Sequence, residues 1–191
     1  MNVYIMKTIS VILLLILCNF TYANNVGTET VLELPRFVSL KSNDSNIRVG
    51  PSMNYPILLK YITYDFPLKV VEEYEDWRKI IDFDDNTGWI HKSLIKGERT
   101  GIILSSDYNK IKMYNTISGR MIGEIEVGSI VVIPKCKTNW CFIKIKDHKG
   151  WINKKFIWGV EKKEIYNIGF FQVMIDYYLN SINFLEKYIS Q

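Results

Sequence analysis

Two stretches of this sequence, TGWIHKSLIKG at residues 87–97 and KGWINKKFIWG at residues 149–159, are variants of one pattern. At an offset of 62 residues, Gly-Trp-Ile falls on Gly-Trp-Ile, Leu-Ile falls on Phe-Ile, and the closing glycines coincide. Farther upstream the offset becomes 63 and places Trp77 on Trp140, so the extra residue belongs to a turn. The chain therefore contains an internal repeat, with two units of about 60 residues.

The openings of the two units match more loosely. We align NIRV at residues 46–49 with KIKM at residues 110–113, because both segments lie at a similar distance from the first tryptophan of their unit. This alignment places Lys112 opposite Arg48. The units are expected to be two domains, over residues 34–98 and 99–160.

Within each unit the apolar residues alternate with a period of two, which is the pattern of a half-buried strand. The predicted strands are residues 67–72, 77–82 and 87–91 in the first unit, and residues 128–133, 140–145 and 150–152 in the second. Turn residues separate these short strands, and no helical pattern lies between them. The fold class is therefore predicted to be mainly β, with two small antiparallel barrels in tandem.

The N-terminus has the features of a secretory signal. A basic Lys7 precedes the apolar run VILLLILC at residues 11–18, and a small residue, Ala23, ends the segment. We predict a cleavable signal peptide over residues 1–23 and export to the periplasm. A permanent anchor is the alternative, but a span needs roughly 20 apolar residues. A lipid anchor on Cys18 is not favoured, because the bulky Leu17 precedes it.

Composition limits the class of protein. The 191 residues are 48% hydrophobic and 23% charged, which is close to the globular average and argues against a disordered or multi-pass membrane chain. The net charge is +4, from 24 basic and 20 acidic residues, and the lysines are dispersed rather than clustered. Nucleic-acid binding is therefore not expected.

Two cysteines, Cys136 and Cys141, remain after the signal peptide. They flank a short predicted turn and would face each other across a hairpin, so a disulfide is expected in an oxidising compartment, worth about 2 kcal/mol. The alternatives are a zinc site and a nucleophilic cysteine. Only His148 lies in the same segment, so neither a full ligand set nor a triad is available, and no metal or other cofactor is expected.

Residues 165–190 follow a different pattern. Polar residues recur every three or four positions, and nearly everything between them is apolar. This predicts an amphipathic helix with a narrow polar stripe. Its apolar surface would pack on the barrels, or residues 170–189 would dock on a partner protein or a membrane surface, and all three stay open.

Several motifs, taken in order, resemble a known family. They are RFVSLKS (36–42), NIRVGP (46–51), DWR (76–78), GWIHKSL (88–94) and WGV (158–160). The sequence resembles the bacterial SH3-type domain, and in particular exported two-domain proteins of this type from alphaproteobacteria. Cys136 and the Trp140-Cys141 pair also resemble the second domain of those proteins, which supports the disulfide. The second unit lacks the Arg and Gly of the opening motif.

The resemblance implies binding of peptidoglycan, at its peptide or glycan part. The ligand-binding residues expected from it are Asn46, Arg48, Tyr55, Trp77 and Trp89. Aromatic faces suit sugars and flat peptide segments, because they give a large contact area at low entropy cost. The alternative for both tryptophans is packing, and the alternative for Arg48 is a hydrogen bond that fixes a loop.

Three functions follow from these observations. The leading one is an exported, non-catalytic module that binds the cell wall. The alternative is a periplasmic interaction scaffold that docks an envelope protein through its C-terminal helix. A hydrolase is not expected, because no Gly-x-Ser-x-Gly, no His-Glu-x-x-His and no phosphate-binding glycine loop is present.

Overall fold

A computed structural model describes residues 25–169, which form 14 strands. The first seven strands are β1 (Arg36–Leu40), β2 (Ser45–Arg48), β3 (Ile57–Tyr61), β4 (Pro67–Tyr74), β5 (Trp77–Ile81), β6 (Thr87–His91) and β7 (Ile95–Lys96). The other seven are β8 (Thr100–Ile103), β9 (Lys110–Tyr114), β10 (Met121–Glu126), β11 (Ile130–Cys136), β12 (Trp140–Ile145), β13 (His148–Asn153) and β14 (Ile157–Trp158).

The strands form two antiparallel sheets of seven strands each. The first sheet has the order β3-β2-β6-β5-β4-β1-β7, and the second has the order β10-β9-β13-β12-β11-β8-β14. Each strand of the second sheet occupies the place of the strand seven positions earlier in the chain. The internal repeat read from the sequence is thus a repeat of topology, and the prediction of a mainly β chain with two antiparallel sheets is confirmed.

Each sheet encloses its own apolar core. The first contains Val38, Leu40, Ile47, Leu68, Val70, Ile80, Ile90 and Ile95. The second contains Ile103, Ile111, Met113, Ile125, Val131, Ile133, Cys136, Cys141, Ile143, Ile152 and Ile157. The edge strands of each sheet meet at one core, since Leu59 of β3 packs against the cluster that contains Ile95 of β7, and the second cluster contains Ile125 of β10 and Ile157 of β14. Each sheet therefore curls around its core.

The two Gly-Trp-Ile motifs occupy equivalent places, and each begins with a glycine for a steric reason. A side chain on Gly88 would meet Ile47 and would come 3.0 Å from the carbonyl oxygen of Arg48. One on Gly150 would meet Met113 and would come 2.8 Å from the carbonyl oxygen of Tyr114. Only glycine lets β6 and β13 lie this close to β2 and β9.

These contacts correct our alignment of the opening strands. Arg48 lies opposite Trp89, and Tyr114 lies opposite Trp151. Tyr114 therefore occupies the place of Arg48, whereas the sequence alignment had put Lys112 there. The slip is two residues, which is one strand period, so it left every side chain on its correct face.

The hairpin between β5 and β6 depends on the carboxylate of Asp82. Its Oδ1 accepts hydrogen bonds from the backbone N–H groups of Asp84 and Asn86, both at 2.9 Å. Its Oδ2 accepts from the Asn86 amide at 2.9 Å and from the Tyr61 hydroxyl at 2.6 Å. Burial, together with this bond to Asp82, raises the pKa of the Tyr61 hydroxyl. The turn after β5, which carries Asp82, Asp84 and Asp85, is thus held together by hydrogen bonds to one of its own carboxylates.

The predicted disulfide is confirmed. Cys136 and Cys141 lie opposite each other on β11 and β12, and their sulfur atoms are bonded. Both side chains are fully buried in the second core. The disulfide closes the hairpin between β11 and β12. The segment after β14 returns to the same point, where Tyr166 pairs with Cys136 through two backbone hydrogen bonds.

The carboxylate of Glu73, on β4, holds the segment around Glu29 and Thr30, which precedes β1, by hydrogen bonds. Its fully buried carboxylate accepts from the backbone N–H groups of Glu29 and Thr30, at 3.0 and 2.9 Å, and from the Thr30 hydroxyl at 2.7 Å. Arg36 Nη2 donates at 2.6 Å, and Arg78 Nε lies 3.3 Å away. Burial acts to raise the pKa of Glu73, but the bonds from Thr30 and Arg36 outweigh it and lower the pKa to about 2.

The two sheets pack against each other through aromatic and polar contacts. The ring of Phe37 meets the edge of Trp158 with centroids 5.2 Å apart, and the Arg99 guanidinium lies 5.5 Å from the Phe37 centroid. The Thr100 hydroxyl, which is fully buried, donates to the carbonyl oxygen of Asp65 at 2.8 Å. The two sheets therefore share a packed interface and are not joined by a linker alone.

The predicted segments at the two ends lie mostly outside the described residues. The predicted signal peptide at residues 1–23 and residues 170–190 of the predicted C-terminal helix lie outside the described residues. Of that predicted helix, residues 165–169 are described, and they are not helical, because Tyr166 forms a β-bridge with Cys136. Within residues 25–169, no helix is long and apolar enough to span a membrane.

Candidate functional site

The outward side of the first sheet carries a row of half-buried side chains at the motifs singled out from the sequence. Arg48 on β2, Trp89 on β6 and Lys79 on β5 lie opposite one another in adjacent strands, so they project to the same side. Asn46 lies two residues before Arg48 and shares that side. We call Asn46, Arg48, Lys79 and Trp89 the N-terminal face.

The indole of Trp89 lies between two cationic residues on this face. The ammonium of Lys79 is 5.9 Å from the ring centroid of Trp89, and it also pairs with Glu72 at 3.1 Å. Arg48 lies directly opposite Trp89 on β2, which is the neighbour of β6 on the side away from β5. The face therefore offers an aromatic surface with positive charge on both sides.

Tyr55 joins this face through the loop between β2 and β3. Arg48 Nη1 donates to the backbone carbonyl of Tyr55 at 2.6 Å, which is the loop-fixing contact named as the alternative for Arg48. The Tyr55 ring lies directly over the backbone of buried Gly50, where a Cβ would come within 2.7 Å of three ring atoms. Because Gly50 has no side chain, the exposed Tyr55 ring can pack directly on its backbone.

Trp77 lies on the same side of the sheet but offers little surface. It is opposite His91, which is two residues after Trp89, and its ring meets the His91 ring edge-on at 5.5 Å. Only 7% of Trp77 is exposed, which favours the packing role. Nδ1 of His91 accepts a hydrogen bond from the Ser93 N–H at 3.3 Å and caps the 3₁₀ turn at Lys92–Leu94. Of the five predicted site residues, Asn46, Arg48, Tyr55 and Trp89 therefore form one accessible surface.

The second sheet carries an aromatic row that sequence reasoning missed. Tyr114, Trp151, Phe142 and Lys135 lie opposite one another on β9, β13, β12 and β11. The Phe142 and Trp151 centroids are 5.5 Å apart, and the Lys135 ammonium lies 5.4 and 5.5 Å from them. Trp140, two residues before Phe142, meets Tyr114 edge-on at 5.6 Å. The alternation of aromatic residues in WCF on β12 was the signal available for this row.

A groove of about 850 Å³ opens where the two sheets meet. The first sheet contributes Phe37 and Lys69 to its walls, and the other lining residues come from the second unit and the two residues that follow it. They are Thr138, Asn139, Trp140, Asn153, Lys154, Lys155, Ile157, Trp158, Val160, Glu161 and Lys162. No local sequence pattern marks this groove, because its walls are distant in the chain.

One lysine of the groove is held by the chain itself. The ammonium of the buried Lys154 donates to the backbone carbonyl of Glu164 at 2.5 Å. Burial lowers the pKa of Lys154, and the charge of Glu164 opposes that effect. Lys154 therefore fixes the wall of the groove.

The described residues contain no candidate metal centre. Over residues 25–169, no three His, Cys, Asp or Glu side chains come together in a way that could hold an ion. Asp82, the most buried acid of the β5–β6 turn, has both oxygens occupied by hydrogen bonds within the hairpin and to Tyr61.

The sequence matches the family model of the bacterial SH3 domain over residues 41–97 and 119–159, which is more than half of the chain. The chain belongs to the bacterial SH3 domain family. The two matched segments fall on the two sheets, so both contribute to the match. No curated protein matches the chain.

Solved structures with some likeness to this SH3-family chain include two from different organisms. One is NlpC2 from Trichomonas vaginalis, at 12% identity and a TM-score of 0.28, with 65% of this chain and 48% of that one covered. The other is an NlpC/P60 family protein from Bacillus cereus ATCC 10987, at 9% identity and a TM-score of 0.29, covering 64% and 55%. The chain thus spans about half the length of these proteins, and likenesses at such TM-scores carry no weight for function.

Proposed function

We propose that this protein is an exported, non-catalytic module that binds peptidoglycan in the periplasm, at its peptide or glycan part. The N-terminal face, with Tyr55, is the binding surface. The family supports the class of function, since bacterial SH3 domains commonly bind the cell wall.

The observation that carries this proposal is the surroundings of Trp89. Its half-buried indole is flanked by Arg48 and Lys79, and Tyr55 is tied to Arg48 by a hydrogen bond. The indole can stack on a sugar ring or a flat peptide unit, and the two cations can reach carboxylate or carbonyl oxygens. Because the sheet backbone holds these groups in place, little conformational entropy is lost on binding.

The absence of catalysis is part of the same proposal. Both cysteines of the described chain are joined in a buried disulfide, so neither can serve as a thiolate nucleophile. The imidazole of His91 is engaged in capping the turn after β6. Both cysteines and His91 thus have structural roles, which supports a binding function.

Co-sedimentation with purified peptidoglycan sacculi at low salt tests the proposal. The mature protein should pellet with the sacculi, and Trp89→Ala should weaken binding at least tenfold, the size expected for a central aromatic contact. Tyr55→Ala should also weaken binding. Tyr108→Ala is the matched control, since Tyr108 is an exposed loop tyrosine like Tyr55, at 57% against 46%, but lies in the second unit.

Two results would reject the proposal. Mature protein that stays in the supernatant rejects peptidoglycan as the ligand. Equal binding by Trp89→Ala and the parent protein, with both folded by circular dichroism, rejects the N-terminal face as the site. The alternative scaffold, which would dock through residues 165–190, stays a prediction, because that segment lies almost entirely outside the described residues.

A further inference from the structure

The groove between the two sheets has the size and shape of a ligand site. Its volume of about 850 Å³ lies within the range of roughly 300–1,000 Å³ that is usual for ligand sites. It exists only because the two units pack together, since Phe37 and Lys69 face residues of the second unit across it. It is also separate from the N-terminal face, none of whose residues lines it.

The charge of the groove is strongly positive. Four lysines line it and only one acid, Glu161, does so. Glu161 is engaged by Lys69 at 2.6 Å, and the buried Lys154 is held by a backbone carbonyl. Within residues 25–169, Lys155 and Lys162 have no carboxylate partner. The Lys155 ammonium lies 4.7 Å from the centroid of the Phe156 ring, a contact that does not neutralise its charge. The groove therefore carries two lysine charges that no carboxylate of the described residues balances.

The other lining groups suit a peptide better than a small ion. Aromatic surface comes from Trp140 and from the pair formed by Phe37 and Trp158, whose ring centroids are 5.2 Å apart. The side-chain amides of Asn139 and Asn153 can donate to and accept from a peptide backbone. A neutral sugar would leave the lysines unmatched, and a single inorganic anion would leave most of the groove empty. A short acidic peptide satisfies both features.

We propose that this groove is a second binding site, which takes a short, carboxylate-bearing peptide segment of the cell wall. This inference rests on the proposed function for the source of the peptide, and it deepens that function by naming the acidic peptide as the recognised part. Lys155 and Lys162 contact the carboxylates, and the aromatic side chains contact the apolar stems.

The chemistry is tested first with two soluble peptides, hexaglutamate and hexaglutamine, by isothermal titration calorimetry of the mature protein at low salt. Hexaglutamate should bind, and hexaglutamine should bind at least tenfold more weakly. The double variant Lys155→Gln/Lys162→Gln should lose about tenfold in affinity for hexaglutamate, as expected when two partly exposed ion pairs are removed.

A matched double variant separates this site from general electrostatic attraction. Lys110→Gln/Lys163→Gln removes the same net charge, from exposed lysines that do not line the groove, and Lys163 is the immediate neighbour of Lys162. It should change the affinity for hexaglutamate less than twofold. An equal loss in both double variants, or equal binding of the two peptides, overturns the proposal.

The wall as source is tested with sacculi whose carboxylates have been converted chemically to amides. Amidation should weaken binding of the parent protein, and it should have little effect on Lys155→Gln/Lys162→Gln, which has already lost those contacts. If untreated sacculi bind but amidation has no effect, the groove proposal fails and the proposed function stands. If hexaglutamate binds in the groove but sacculi do not bind at all, the wall is the wrong source and the proposed function fails.

Discussion

The carboxylate of Glu73 should be among the most sensitive single groups for the stability of this protein. It is fully buried, and the donors around it come from two distant parts of the chain, the segment at residues 29–36 and Arg78 on β5. Replacement by Gln keeps the size of the side chain but removes its charge. The two arginines then lose the charge that compensates them.

The expected cost at neutral pH is about 3 kcal/mol, which is typical when one partner of a buried ion pair is removed. The pKa of Glu73 supports a similar scale. A shift from 4.5 to about 2 corresponds to roughly 3 kcal/mol. Because Glu29 and part of Thr30 remain open to solvent, we reduce this figure for screening to about 2 kcal/mol.

The sign of the pH dependence follows from the lowered pKa. A carboxyl that ionises more easily in the folded state stabilises the protein fully above its unfolded pKa, near 4.5. That contribution is lost as the pH falls from 4.5 towards 2. In Glu73→Gln no such contribution exists. The stability difference between the parent protein and the variant should therefore be constant from pH 7 to pH 5 and shrink by about 2 kcal/mol on further acidification.

Urea unfolding followed by tryptophan fluorescence, at several pH values between 2.5 and 7, measures this difference. Other carboxylates titrate in both proteins and cancel in the comparison. Glu72→Gln is the matched control, because Glu72 is the neighbouring residue with a single, half-exposed ion pair to Lys79, and its cost should stay below about 1 kcal/mol. A difference for Glu73→Gln that does not change between pH 6 and pH 2.5 would refute the role assigned to its charge.

Two further predictions concern the second sheet and its repeat of the first. Replacing Cys136 and Cys141 together by Ser should lower the free energy of unfolding, measured in urea, by about 2 kcal/mol. A reductant should destabilise the parent protein by the same amount. If neither treatment changes the stability, the disulfide is not stabilising. Gly150→Ala should lower the free energy of unfolding by about 2 kcal/mol or more, because the new methyl group meets β9. Gly97→Ala is the control: nothing lies within 4 Å of its Cβ position, so its stability should change by less than about 0.5 kcal/mol. Similar thermal midpoints for the two variants would contradict the close approach of β13 to β9.

Much of the fold could be predicted because its signals are local. The predicted strand at residues 140–145 coincides with β12, and the one at residues 87–91 coincides with β6. In both, the buried positions recur at every second residue and turn residues flank the strand. The opening strand of the second unit was misaligned by two residues because KIKMY alternates throughout. Only its contact with Gly150 distinguishes one register from the next.

The candidate site could be predicted only in part, for the same reason. Asn46 and Arg48 are two residues apart on one strand, so their shared side of the sheet follows from the sequence. That Lys79 reaches the ring of Trp89 depends on the pairing of β5 with β6, and the groove depends on how two complete sheets dock. For Trp77 the family motif predicted a binding residue, but the structure buries nearly all of its surface.

The comparison of the two units explains how one fold can present two different surfaces. The inward positions are constrained alike, since Ile47 and Met113 both fill a core and both lie under a glycine of the facing strand. The outward positions carry no such constraint, and there Arg48 in the first unit is replaced by Tyr114 in the second. A substitution on that side changes what the sheet can bind without disturbing its packing. The N-terminal face and the aromatic row of the second sheet can therefore differ in ligand while sharing a topology, and the groove between them adds a site that neither unit has alone.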